Sequence, residues 1–300
     1  PRPEAKLQSA PMQALWMLMA CLCFGTMGLM VKLAGTHATL GEIVLFRGAV
    51  PAIAITVWAL LQGLSLKSPV AFLHLKRNVA GIIAMWCGFY ATTQLPLATA
   101  TTLMYTSPLF IALILWLWYG QSRNRLEQFA IAIGFSGVIA VLQPVFYGNQ
   151  LQTALIGLSA GAVSAVAYMQ LKSLGQAREP EWRTVLYFAG TATVTSLVYI
   201  IGFGEFEVFK APDTDWTLLW LVALGFFGGA GNLALTRSFG SGSTWLSAAL
   251  QYCTILVSTF FGIVVLGDIP TSTTWLGVLL IIACGAMSSY ATHQRKLVGE

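Results

Sequence analysis

Apolar residues in this chain come in long, nearly unbroken runs, not in the narrow stripe of a helix that turns one face to water. Ending each run at Gly, Pro or a charge predicts ten helices. Five lie near 13–35, 41–62, 72–94, 97–119 and 126–146, and five near 151–172, 183–203, 215–236, 243–266 and 272–291. Each holds about 20 residues, enough to cross a hydrocarbon layer of roughly 30 Å. Gln94, Leu95 and Pro96 are the only punctuation between the third and fourth runs, and the residue before a proline is biased out of helix. The pattern predicts an all-α membrane protein of ten transmembrane helices.

The runs repeat. The fourth, 97–119, and the ninth, 243–266, carry no charge, and Tyr105 lies 15 residues before Gly120 as Tyr252 lies 15 before Gly267. Val31-Lys32-Leu33-Ala34-Gly35 closes the first run and Leu171-Lys172-Ser173-Leu174-Gly175 closes the sixth. The chain therefore reads as two five-helix units, 1–146 and 151–300. Because five is odd, the second copy enters the bilayer from the other side, giving the inverted repeat of many secondary transporters.

Composition agrees. The 300 residues are 57% hydrophobic and only 9% charged, with a mean hydropathy of +0.74, whereas ordinary soluble domains carry about 25% charged residues. Ten spans leave only short connections, with no room between them for a soluble catalytic domain. The net charge of +5 is spread between apolar runs and not gathered in a patch, so nucleic acid is not an expected partner. Its distribution instead sets topology. With ten spans, 13 of the 16 Lys and Arg fall on the side of the termini, while the opposite loops hold Lys210 amid Glu205, Glu207, Asp213 and Asp215. The positive-inside rule then predicts cytoplasmic termini, with the first run retained as a span because it is too long for a signal-peptide core. All five cysteines, Cys21, Cys23, Cys87, Cys253 and Cys284, sit inside apolar runs. They read as small apolar fillers, not as a disulfide framework or metal site, and no cofactor is expected.

Certain residues carry a family resemblance. Each unit has a fourth helix closing in a Gly-acid or Gly-polar turn, Gly120-Gln121 and Gly267-Asp268, before a fifth helix bearing Gly137 or Gly285. With Arg47-Gly48 in the second helix and Tyr105-Thr106-Ser107-Pro108 in the fourth, the chain resembles the EamA units of the drug/metabolite transporter superfamily over essentially its whole length. Its aromatic-rich pattern looks most like the YddG-type amino-acid exporters of bacterial inner membranes. The resemblance implies a multi-pass inner-membrane carrier for a small molecule. Gln121 stands where the family's first unit has an acid, so a pairing role for that carboxylate survives only at Asp268.

In an inverted-repeat carrier the solute site lies near the midplane, where the halves face each other. Tyr105, Gln251 and Tyr252 fall near mid-bilayer, and polar atoms at that depth need partners or a wet cavity. Trp86 and Tyr90, four apart on one face of the third helix, are candidates for a cavity wall. Tyr168 and Asn232 lie toward the terminal side, where a vestibule needs hydrogen bonds. Trp116, Trp118, Trp216, Trp220 and Trp275 lie near span ends and read as interfacial belt residues. Pro108 is expected to kink the fourth helix while its counterpart Ile255 does not, so the halves are expected to bend differently. Gly228 and Gly231, with Gly225 and Gly229, allow close packing or a hinge.

Charge within the spans is limited to Lys32, Glu42 and Arg47, all near the distal ends of the first two helices. Arg47 is within reach of snorkelling and of pairing with Glu42, so the expectation is an uncharged cavity and no proton-coupling carboxylate. The expected function is export of small metabolites, amino acids including aromatic or apolar ones, by alternating access. Two alternatives stand beside it. A carrier of lipophilic or quaternary cations would use the same rings through cation-π attraction. An intramembrane enzyme is disfavoured because His37, His74 and His293 all read as loop or tail residues and supply no helix-borne acid-base or metal pair. Direction, coupling ion and oligomeric state have no signature in the sequence.

Overall fold

The computed structural model describes residues 10–119, 129, 132–141, 150–203, 206–207, 214–241 and 244–298. Among these residues there are helices and short connections and no strand. The first half holds α1 (Ala10–Ala34), α2 (Leu40–Leu61), α3 (Ala71–Gln94), α4 (Leu97–Met104) and α5 (Ser107–Tyr119), then α6 (Ala132–Val141). The second holds α7 (Leu151–Gln176), α8 (Glu181–Phe203), α9 (Thr214–Ser241), α10 (Thr244–Leu250), α11 (Cys253–Val264) and α12 (Ser272–Val298). The pairs α4–α5 and α10–α11 are each one span broken in the middle, so the helices form ten rows. The Gly120-Gln121 turn and the ends of the predicted 126–146 helix lie outside the described residues.

The packing shows why such apolar rows are stable. Outward positions carry Leu22, Ile53, Val57, Val198 and Phe226, all more than half exposed. Buried positions include Gln13, Arg47, Asn78, Thr102, Ser196 and Gln251. A helix in lipid loses nothing by exposing leucine, and its polar groups turn inward to find partners. Six stretches among the described residues are long and apolar enough to cross a membrane alone. At 24 residues α3 is as long, but its first two turns carry His74, Lys76, Arg77 and Asn78.

The two halves interlock by a pseudo-twofold exchange. Helix α1 packs along α9 as α3 packs along α7, α2 packs on α8, and α4 meets α11. Exchanging first span with sixth, second with seventh, third with eighth and fourth with ninth maps these contacts onto themselves. The α2–α9 and α2–α8 contacts depend on missing side chains. A Cβ at Gly229 would stand 2.7 Å from Pro51 Cβ, one at Gly225 would stand 2.7 Å from Val50 Cβ, and one at Gly48 would stand 2.7 Å from the Ala189 carbonyl. Helix α9 runs unbroken through Gly225, Gly228, Gly229 and Gly231, and in this conformation these glycines are points of close contact.

The breaks correct two expectations. In the fourth span the Tyr105 N–H donates to Thr101 O at 2.9 Å and the Thr106 N–H to Leu103 O at 3.3 Å; in the ninth, the Gln251 N–H donates to Ser247 O at 3.0 Å and the Tyr252 N–H to Ala249 O at 3.4 Å. The hydrogen-bond ladder thus tightens and stops at Tyr105-Thr106 in one half and at Gln251-Tyr252 in the other. Pro108 does not kink a continuous helix. It is the second residue of α5, where its missing N–H would have no intrahelical partner anyway. The halves do not bend differently either, since both spans break at matching positions with or without a proline.

At the distal side, α11 closes on Gly267, whose φ of 71° is left-handed and lets the Asp268 N–H donate to Gly262 O at 2.8 Å. Lys32 Nζ donates to Leu95 O at 2.7 Å, putting a cation on the otherwise unsatisfied C-terminal carbonyls of α3. The Lys32 ammonium lies within electrostatic range of Asp268.

Candidate substrate site

Glu42, the expected partner of Arg47, is engaged elsewhere. It is the third residue of α2, where the Thr39 side chain accepts from the Glu42 N–H while Glu42 Oε2 accepts from the Thr39 N–H at 2.8 Å. This capping box satisfies two end-of-helix donors reciprocally. Its other oxygen accepts the Glu207 N–H at 2.7 Å. Arg47 is one turn further along and points the opposite way, into the bundle, where it is 3% exposed. Its guanidinium lies in the notch left by Gly228, where a Cβ would collide with it.

A second arginine arrives from the terminal side. Sequence position puts Arg77 at the terminal-side end of the predicted 72–94 span, and it lies in the second turn of α3, where it is 4% exposed. Its chain runs along the helix toward the midplane, with Nη1 2.9 Å from where a Cβ at Gly81 would stand. Its guanidinium carbon lies 3.8 Å from the centroid of the Phe188 ring.

Both arginines line one central cavity of about 100 Å³ with Tyr105, Tyr168, Asn232 and Ser164. Gly81 and Gly228 are near the midpoints of α3 and α9, so both charged ends lie near the middle of the bundle. The rest of the lining includes the apolar side chains of Met27, Met85, Phe89 and Met104. The cavity is therefore not uncharged, as the spacing of residues had suggested. No Asp or Glu is among the described residues that line it.

The polar atoms around this cavity are under-satisfied. Arg47 Nε, Arg77 Nε and Nη1, Asn232 Nδ2, both amide atoms of Gln251 and the Thr254 hydroxyl are buried without a hydrogen-bond partner. Gln251 is fully buried at the ninth-span break. Its amide lies near the Tyr168 hydroxyl but does not meet it at hydrogen-bonding geometry. The Tyr168 ring itself stacks on Phe239 with centroids 5.3 Å apart.

Other candidates lie elsewhere. Trp86 packs its ring 4.9 Å from that of Tyr199, and Tyr90 is 38% exposed on the outer surface. The cavity face of α3 runs through Arg77, Gly81, Ala84, Met85 and Phe89, so the face shared by Trp86 and Tyr90 is rotated away from it. Tyr252, one residue past Gln251, turns into an apolar cluster with Leu95, Ala100 and Ile255. A Cβ at Gly231 would stand 2.9 Å from the Phe24 ring, which makes Gly231 a contact between α9 and α1. Trp216, at 61% exposure, and Trp275, at 39%, are open to the surroundings near the distal helix ends. The side chains of Trp116 and Trp118 lie outside the described residues.

On the terminal side the sequence missed a second polar cluster. His74 is not a loop residue but is buried in the first turn of α3 at 1% exposure. Its Nε2 lies 3.2 Å from Glu179 Oε1 and 3.1 Å from Ser68 Oγ, and its ring stacks on Tyr187 at 4.4 Å. Arg183 donates to the same Glu179 oxygen at 3.1 Å and to Ser65 O at 3.1 Å, while Asn78 Nδ2 donates to Tyr187 O at 3.0 Å. Burial acts to raise the Glu179 carboxyl, but hydrogen bonds from Ser68, Arg183 and His74 outweigh it and hold the group below its ordinary range. This clamp ties the 65–78 segment of the first half to the 179–187 segment of the second. Glu179 and Arg183 are an i,i+4 pair, but His74 is 105 residues from Glu179, a contact with no sequence signature.

Comparison with known proteins accords with this architecture. A family model described as the EamA-like transporter family matches twice, over residues 11–143 and 151–290. The pseudopaline exporter CntI of Pseudomonas aeruginosa is 29% identical over 90% of this chain and 94% of its own. The S-adenosylmethionine uptake transporter of Rickettsia bellii is 22% identical over 89% of each chain. Human solute carrier family 35 member G1 is 23% identical over 94% of this chain and 80% of its own. A solved crystal structure, 19% identical, superposes with a TM-score of 0.69 over 94% of this chain and 99% of its own. With both halves matched, the chain belongs to the EamA-like transporter family and is a ten-helix membrane carrier, not an enzyme.

Proposed function

We infer that the protein exports small amino-acid-type metabolites across a bacterial inner membrane by alternating access, with both termini in the cytoplasm and the units 1–146 and 151–300 moving against each other. The observation that carries the reading is the central cavity: it lies between the halves, lined by Tyr105 at the fourth-span break and by Tyr168, which lies near Gln251 at the ninth-span break, and is surrounded by buried polar atoms that the protein itself leaves unpartnered. Discontinuous spans at the midplane are where inverted-repeat carriers hold their solutes, since broken backbone is tolerated there only around a cavity. Tyr105, Tyr168, Asn232 and Gln251 supply the hydrogen-bonding groups. The His74–Glu179–Arg183 clamp then stands on the cytoplasmic side as the closed gate. A pocket of about 330 Å³ on the distal side, containing Thr99, Gln150 and Asp268, marks the outer vestibule. The relatives support carriage of small solutes, since one is an exporter and one an uptake transporter.

Counterflow of labelled amino acids into proteoliposomes, with and without a pH gradient, tests the reading. Exchange that persists without the gradient is the expected result; absence of exchange for every amino acid would refute it. Lipophilic cations are poor candidates, because two guanidiniums on the cavity wall repel them.

A further inference from the structure

We propose that Arg47 and Arg77 form a paired carboxylate anchor, and that the natural solutes are amino-acid derivatives bearing two carboxylates at one end and an apolar group at the other. This deepens the reading given above and rests on its assignment of the central cavity as the solute site.

Four observations lead there. Both guanidiniums are more than nine-tenths buried, and both line the same cavity. Neither belongs to an ion pair with any described carboxylate: Glu42 serves the α2 cap and Glu179 the terminal-side clamp. The two charges are near enough to repel each other. Finally, each guanidinium occupies space that a glycine leaves open, Gly228 of α9 for Arg47 and Gly81, one turn further along α3, for Arg77, where an added Cβ would make it shift.

Two like charges held out of water without a counter-charge are costly. A bundle that merely needed glue would not place them together and clear space for them. Guanidinium binds carboxylate in a fork-to-fork geometry that ammonium cannot reproduce, so two such groups match two carboxylates and the loaded cavity becomes neutral. The apolar part of the lining, Met27, Met85, Met104 and Phe89, suits variable apolar groups, because methionine side chains repack around different shapes. The arrangement also removes the need for a coupling ion. A solute with net negative charge leaves a cell of negative interior potential in the favoured direction.

Binding and flux separate this proposal from the broader one. Thermal stabilisation of the purified full-length carrier is measured with N-succinyl-L-leucine, L-leucine and tetraphenylphosphonium. The expected result is half-maximal stabilisation by the dicarboxylate at a concentration at least tenfold below that of leucine, and none by the cation. Arg47→Gln and Arg77→Gln should each abolish the tenfold advantage, and Arg77→Lys should restore only part of it. Equal stabilisation by leucine and N-succinyl-L-leucine in the wild type, absence of stabilisation by the dicarboxylate, or an advantage that survives both substitutions would overturn the anchor. Because the wild-type comparison needs no variant, poor folding of a mutant does not protect the idea. Amino-acid counterflow without dicarboxylate preference would leave the export reading intact and remove only the anchor. Dicarboxylate binding without any counterflow would do the reverse.

Discussion

The two polar clusters in the bundle differ in one property. In the terminal-side clamp, Glu179 collects His74 and Arg183, and Asn78 and Tyr187 tie the surrounding segments together. In the central cavity Arg47, Arg77, Asn232 and Gln251 retain unpartnered donors or acceptors. A buried polar group left unpaired costs about 1–3 kcal/mol, and more when charged. The clamp is therefore a lock of paired charges, whereas the cavity holds two guanidiniums with no carboxylate among the described residues that line it. His74 Nδ1, Asn78 Oδ1 and Arg183 Nε in the clamp are unpartnered too, so it is the pairing of charge, more than polarity or full hydrogen bonding, that separates the two clusters.

That contrast is open to direct attack. Arg47→Gln and Arg77→Gln are expected to lower flux at least tenfold while leaving thermal stability unchanged or raised, because each removes an uncompensated buried charge; a large loss of stability in both would show that the arginines are structural. Gly228→Ala is expected to lower flux several-fold by displacing the Arg47 guanidinium, and wild-type transport by that variant would remove the notch from the account. Glu179→Gln should show the opposite profile, a stability loss of about 1–3 kcal/mol with solute affinity retained, measured by denaturation and by binding. The smallest effect is that of pH. The Glu179 carboxyl is held below its ordinary range, so the stability it contributes is complete above the unfolded-state value and is lost as pH falls through the lower folded-state value. Acid should remove from wild type, in that window, a contribution that Glu179→Gln lacks, while burial of His74 keeps both proteins acid-sensitive; an identical acid profile for the two would contradict the lock.

Much of the fold was legible in the sequence because lipid imposes a simple rule: a span must be long, apolar and internally hydrogen-bonded. Runs such as 41–62 and 183–203 obey it without tertiary information, and the duplicated Tyr-to-Gly spacing pointed to the repeat. The site was only partly legible. Tyr105, Tyr168 and Asn232 reach the cavity because mid-span polar residues have few other places to go, and Gln251 lies beside it. Trp86 and Tyr90 were misplaced because helical spacing shows which residues share a face but not which face meets the cavity. The arginines were misread for a different reason. Distance from a helix end measures backbone depth, yet a side chain about 6–7 Å long adds or subtracts a full helical turn of about 5.4 Å. Arg47 and Arg77 both use that reach to approach the midplane, the reverse of snorkelling. Part of the signal was local, since Gly81 lies four residues after Arg77 on the same face of α3, whereas only tertiary packing brings Gly228 to Arg47.

The account rests on the solute path running through the cavity at the helix breaks. Counterflow of a labelled amino-acid solute by Tyr105→Phe and Gln251→Ala, in protein shown to be inserted and folded, tests this most directly. Each variant should lose most of the wild-type flux, since each removes a polar group at one of the two breaks. Wild-type flux in both would place the path elsewhere.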